Sequence, residues 1–363
     1  MPLTRRLWLA QAGLLAANAA QASPRPPRPA RLAAAWETPA GDWRIGLLGE
    51  SQGRLRPLAQ AEVPTRAHGL SRLPGGDLLA VARRPGDWLL RWSARDGSSR
   101  WVWAEPDRAF NGHALLSPDG RRLYTTETRL DTGEGLVGVR DAATLDKQDE
   151  WPAHGRDPHQ LLWDGDGGLL VANGGISTLP ESGRAKLAPE RMDSSLVRLE
   201  ARRGELQGQW RLPDARLSLR HLAWAGQGAR RVLGIALQAE HDDAAARQAA
   251  PVLALFDGAM LRSVDAPLPL AGYGGDIAAF AGGFAVSCPR AGGIARFGAD
   301  GRWSGWLPLA EACPLAPPIK AADARLWVGG RGQALQLSGA SPGTPATTHP
   351  LAALRLDNHW LAW

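Results

Sequence analysis

Short apolar runs separated by Gly-, Pro- and Asp-rich turns recur along the chain, and stretch 110–173 shows the pattern most clearly. It opens FNGHALLSPDGRRLYTTE, passes through GLVGVRDAATL and QDEWPAHGRDP, and begins again as HQLLWDGDGGLLVANGG. Each pass gives a histidine, an apolar run, a tight turn and a second apolar run. SPDG and DGDGG supply the dihedrals of a chain reversal, so each pass predicts an antiparallel hairpin. The unit returns at roughly 45 residues, the period of four-stranded propeller blades.

Blade one starts at His68 (HGLSRLPGGDLLAVAR), blade two at His113, blade three at His159 and blade four at His221 (HLAWAGQGARRVLGIAL). Blade five starts at Asp276 (DIAAFAGGFAVSCPR), and APPIKAADARLWVGG, QALQLS and HPLAALRL supply blade six. One strand is left at the C-terminus, NHWLAW, and three at the N-terminus, RLAAAWE, WRIGLLG and RLRPLAQAE. Together they make a seventh blade, which closes the ring and removes exposed edges. The expected fold is therefore all-β, a seven-bladed β-propeller over 31–363, averaging about 48 residues per blade.

The N-terminus reads MPLTRRLWLAQAGLLAANAAQAS, a basic pair before an apolar stretch and an Ala-Gln-Ala cleavage site. It predicts a secretory signal over 1–22, short for a membrane span, with an uncleaved anchor as the alternative and twin-arginine character from Thr4-Arg5-Arg6 and Leu7-Trp8-Leu9. Ala10 stands where that signal usually carries lysine. Residues 23–30 form a proline-rich tether. Cleavage would remove Arg5 and Arg6 from a formal charge of +6, leaving +4. The arginines are scattered without interleaved aromatics, which argues against nucleic-acid binding. Most of the 16 tryptophans fall inside apolar runs and are expected to pack between sheets. A periplasmic monomer, free of the membrane once its leader is removed, is the expectation.

Of eight histidines, His68, His113, His159, His221 and His359 share one blade position, and Asp276 stands at the matching place in blade five. Innermost strands line the channel of a propeller, so these positions converge near its axis. Five imidazoles and a carboxylate around one hole form a metal-ligand inventory that suits copper, iron, nickel or zinc. Two other readings stay open: structural histidines tying blade to blade, and an acid–base or anion-binding role. On the same face, Glu127, Arg83 and Asn173 are candidates to orient the histidines, or are solvated loop residues. So are two long loops, 174–193 and 239–250, that suit binding. Cys288 and Cys313, on that face in adjoining blades, are expected to form a disulfide, with soft metal ligation as the alternative. No Walker loop, HExxH, GxSxG or CxxC is present, so no catalytic residue is assigned. Asp157-Pro158-His159 and Asp164 with Asp166 read as turns.

HALLSPDGRRLYTTE is similar to the inner hairpin of YVTN-type propellers. NGHALLSPDGRRLYTTE, RDPHQLLWDGDGGLLVANGG, SSLVRLEARRGEL and SCPRAGG resemble an uncharacterised family of exported propellers. Members of that family are encoded beside imelysin-like and di-haem oxidase-like proteins in iron-uptake clusters. The resemblance implies a periplasmic accessory of iron acquisition, with those proteins as partners and iron or copper as the bound ion. The histidine hub also resembles the copper-cluster domain of nitrous oxide reductases, although two of its seven ring histidines lack counterparts here. A metal-dependent oxidase or hydrolase, and a protein-interaction scaffold with structural histidines, are the alternative functions. Lactonase-type propellers gather oxygen ligands around calcium, which a histidine-rich hub does not match.

Overall fold

Each apolar run becomes one strand, and the turn residues fall between strands, where their backbones carry the reversal. Gly120 and Gly167, in the SPDG and DGDGG turns, adopt φ values of +71° and +76°, which glycine accepts without strain. The computed structural model describes residues 31–176, 192–319, 325–339, 346–351 and 354–363. The expected leader and tether, and most of the first long loop, lie outside them. Among the described residues 28 strands form seven four-stranded sheets, and no helix is long and apolar enough to cross a membrane.

The expected seven-bladed propeller is the observed fold. The innermost strands are Ala67–Arg72, Arg108–Leu116, Pro158–Trp163, Leu217–Ala225, Asp276–Phe280, Leu315–Ala316 and Arg355–Ala362, in blades one to seven. The last pairs antiparallel with Leu32–Glu37, and Trp43–Ser51 and Arg54–Val63 complete that blade. Ala34 faces Trp360 and Leu32 faces Ala362, so the two chain ends close the ring in one sheet. Arg66 reinforces the joint from blade one: its guanidinium pairs with Asp357, and Nη2 donates to Asn358 at 3.2 Å. The second long loop carries a short helix, Ala244–Ala249, whose first turn is capped by the Asp243 carboxylate.

The core is divided among the blade interfaces. Among the described residues seven buried apolar clusters occur, one between each adjacent pair of blades. Trp36, Trp88 and Trp151 are buried in them, as the tryptophan distribution predicts. At the strand ends indole N–H groups stitch blades together: Trp163 donates to Leu116 O at 2.8 Å and Trp224 to Trp163 O at 2.7 Å. A ring of this kind has little freedom at its centre, where all the innermost strands meet.

Candidate metal centre

The histidines reach the axis because the strands that carry them are irregular. In blades one to four the ladder between first and second strands shifts register at the histidine. The shifts fall between Ala67 and Leu70, Phe110 and Ala114, Pro158 and Gln160, and Leu219 and Leu222. In blade seven the shift lies between Ala34 and Trp36, opposite the segment that holds His359. Bulges interrupt the strict up-down alternation and re-aim a side chain. Blade five, where Asp276 stands instead, has an unbroken ladder.

The five rings consequently meet at the hub. His68 lies 4.8 Å from His113 and 4.5 Å from His359 between ring centres. His221 lies 4.7 Å from His159 and 4.5 Å from His359. One ring nitrogen from each of His68, His113, His159 and His221 falls within 4.8 Å of the other three. His159 Nε2 and His221 Nε2 are 3.0 Å apart. Two imidazoles on one ion at about 2.0–2.1 Å stand about 2.9–3.4 Å apart, so this pair already has the spacing of co-ligands.

Glycine makes the crowding possible. A Cβ on Gly69 would lie 2.4 Å from Gly112 O, and one on Gly112 would lie 2.7 Å from His68 Cδ2. Gly112 also has φ +101°, a conformation that strains any other residue. Thr126, on the second strand of blade two, donates at 3.3 Å to His113 O and lies 3.4 Å from His159 O, tying two histidine backbones together.

The donor chemistry fits a transition metal. Burial, followed by neighbouring histidines and arginines, holds the pKa values of His68, His113, His159 and His221 well below the ordinary imidazole range. Neutral rings offer lone pairs, and each has a buried nitrogen with no hydrogen-bond partner: His68 Nδ1, His113 Nε2, His159 Nδ1 and His221 Nδ1. His359 Nε2 is a fifth such atom. Buried polar atoms without partners are uncommon in a folded protein, and these five belong to the rings that meet at the hub.

Asp276 departs from its expected part as a ligand. Its Oδ2 faces His359 Nδ1 at 3.3 Å and accepts from Leu315 N at 3.0 Å, while Oδ1 accepts from Ile277 N at 2.9 Å. It stands behind His359, holding the proton on Nδ1 and turning Nε2 to the hub. Blade six, with a two-residue innermost strand, adds no ligand among the described residues.

The three expected orienting residues divide. Arg83 lines the same small cavity as His68. Glu127 does not touch the histidines; it is buried with Arg140 Nη2 at 2.8 Å, Lys147 Nζ at 2.8 Å and Thr125 Oγ1 at 2.6 Å. Successive strand residues face opposite sides, so with Thr126 at the hub Glu127 points away. Asn173 donates to Ala153 O at 2.9 Å and braces the segment leading into blade three. The expected disulfide is not formed: Cys288 and Cys313 are both free thiols. Cys288 is packed in the core between blades four and five with Sγ toward Val286 O at 3.7 Å, and burial pushes its pKa up to about 12. Burial, with Asp276 next, raises Cys313 as well.

Sequence reasoning placed Arg83 on this face but missed Arg220 over the histidines. Arg220 Nη1 donates to Asp157 Oδ2 at 2.8 Å, and Arg84 pairs with Oδ1 of the same carboxylate. Asp157 is a buried residue at φ +54° in the turn before His159. Arg220 precedes His221 in an apolar strand, and a charge in such a run was the available signal.

Known proteins of similar shape share the fold at low identity. A streptogramin B lyase structure aligns with 79% of this chain and 83% of its own at 13% identity, TM-score 0.56. A virginiamycin B lyase from Staphylococcus aureus covers 79% and 85% at 12% identity, TM-score 0.56. Lignostilbene dioxygenase from Pseudomonas brassicacearum covers 93% and 92% at 11% identity, TM-score 0.60. No curated protein matches. Residues 61–363, blades one to six with the closing strand, match the family model described as Protein of unknown function (DUF1513), and the chain belongs to that family.

Proposed function

We propose that this propeller binds one transition-metal ion on its axis through His68, His113, His159 and His221, with His359 as a fifth donor set by Asp276. The observation that carries the reading is that one ring nitrogen from each of the buried His68, His113, His159 and His221 lies within 4.8 Å of the other three. Structural histidines would spend those nitrogens on neighbouring backbone, as Asn173 spends its amide on Ala153. Neutral nitrogen donors without thiolate suit iron or copper, and we take these two as the ions. The resemblance to exported propellers supports a periplasmic accessory role in iron acquisition, reached through the twin-arginine route, with imelysin-like or di-haem proteins as partners.

Holding or passing the ion is favoured over turnover of an organic substrate. The cavity against His68, His159 and His221 is about 20 Å³, room for one water-sized body. That space beside the histidines does not hold a carbon substrate.

Elemental analysis of protein exported by its native route tests the reading. About one iron or copper per chain is expected, and the double substitution His113→Ala/His159→Ala should abolish it while the fold survives. Protein that takes up neither metal, or a double variant that unfolds, would make the histidines structural and the propeller an interaction scaffold.

A further inference from the structure

The hub presents positive charge where a cation is to bind. Arg83, Arg84 and Arg220 line the small cavity over His68, His159 and His221. Arg220 is 2% exposed, and its Nε has no hydrogen-bond partner. Burying a guanidinium costs several kcal/mol unless charge and hydrogen bonds compensate it. Asp157 is shared between Arg220 and Arg84, and Glu240 lies 3.7 Å from Arg220 Nη2. Asp276 is engaged by His359 and two backbone amides, and the buried Asp357 by Arg66. Neutral imidazoles add no negative charge. An ion on the axis would therefore add its charge to arginines whose nearby carboxylates are already in use.

We infer that the ion is bound together with a small anion, which occupies the cavity as a further metal ligand and accepts from Arg220 and Arg84. This rests on the metal reading above. Size restricts the anion to a compact one such as hydroxide, superoxide or the end of a linear pseudohalide, since the cavity is about 20 Å³. Guanidinium donors favour an anion over neutral water through charge-assisted hydrogen bonds. A second cavity of about 390 Å³, lined by Thr65, Pro85, Asp87 and Ala109 among others, shares Arg83 and Arg84 with the first. The two arginines form the common wall between that outer cleft and the histidines.

The test uses the full folded chain loaded with cupric ion and titrated with sodium azide. Wild type should develop a saturable azide-to-copper charge-transfer band and an altered copper EPR signal. Arg220→Gln and Arg84→Gln should each weaken azide by about tenfold with copper content unchanged, and Arg220→Lys should restore part of the loss. A copper-loaded wild type indifferent to azide overturns the anion proposal and leaves the metal site standing, as does unchanged azide affinity in both glutamine variants. Protein that binds no copper overturns the metal reading and the anion with it, and elemental analysis separates the cases. Should a glutamine variant fail to fold, the wild-type titration and the lysine variant still decide.

Discussion

Asp276 Oδ2 lies 3.3 Å from His359 Nδ1, joining the start of blade five to the last strand of the chain. The contact fixes which nitrogen of His359 faces the hub. Asp276→Asn keeps an acceptor for the Leu315 amide but removes the carboxylate that holds the Nδ1 proton. Metal affinity should fall about 10- to 100-fold, the usual cost of losing an outer partner of a ligating histidine. Competition with a metal-binding dye reads the change. A complete loss of metal instead would make Asp276 a ligand.

Gly112 packs directly against the His68 ring. Alanine there must adopt φ near +101° and displace the His68 ring. Gly112→Ala should lower stability by more than about 1 kcal/mol, because the positive-φ cost adds to the clash. Calorimetric melting measures that part, and reduced metal affinity at a temperature where the variant is folded measures the displacement. Gly120→Ala also takes on positive φ but meets nothing closer than Pro74 at 3.6 Å, so it should cost stability without changing the metal.

The fold was legible because a blade is a local object. Its hairpins, turn residues and a histidine at one offset repeat, and the strands left over at the two ends matched one missing blade. The convergence of five histidines followed from that register. What aims them did not: a bulge such as the one between Phe110 and Ala114 leaves no residue signature beyond a permissive glycine. Glu127 was misplaced because one residue along a strand reverses the face, and its partner Arg140 lies on the next strand. Asp157 passed for a turn residue because its two arginine partners come from blades one and four, 73 and 63 residues away. Long-range ion pairs of this kind are set by the closed ring and have no local pattern.

Acid should strip one surface network before it affects the hydrophobic core. The Glu150 carboxylate is held down at about 2, first by Arg108 and, despite some burial, by Lys147 as well. Arg108 Nη2 donates to it at 2.9 Å and Lys147 Nζ at 2.8 Å. A carboxyl depressed in the folded state stabilises the protein fully above its unfolded pKa, near 4.5, and less as pH falls toward 2. Glu150→Gln should thus melt below wild type at neutral pH, with the gap closing between these limits. The gap should be small because the group is partly exposed and screened. Melting curves at several pH values show whether it closes, and a constant gap would assign the effect to packing.

Removing the last five residues tests the closure of the ring. The deletion takes His359 from the hub and Trp360, Leu361 and Ala362 from their pairing with Ala34, Ala33 and Leu32. It also removes Trp360 from the cluster between blades six and seven, and Leu361 and Trp363 from the packing between seven and one. Fully burying a large apolar side chain contributes about 1.5–3 kcal/mol, and with Trp360 buried and Leu361 and Trp363 half-buried the loss is a large fraction of a domain's stability. The truncated protein should expose a strand edge at Leu32, Ala33 and Ala34, bind a hydrophobic dye and associate, which light scattering detects. His359→Ala, in contrast, should leave the ring closed and the protein monodisperse while weakening metal. A shared phenotype for the two variants would mean that His359 acts through closure alone, and that the hub ion has four nitrogen ligands.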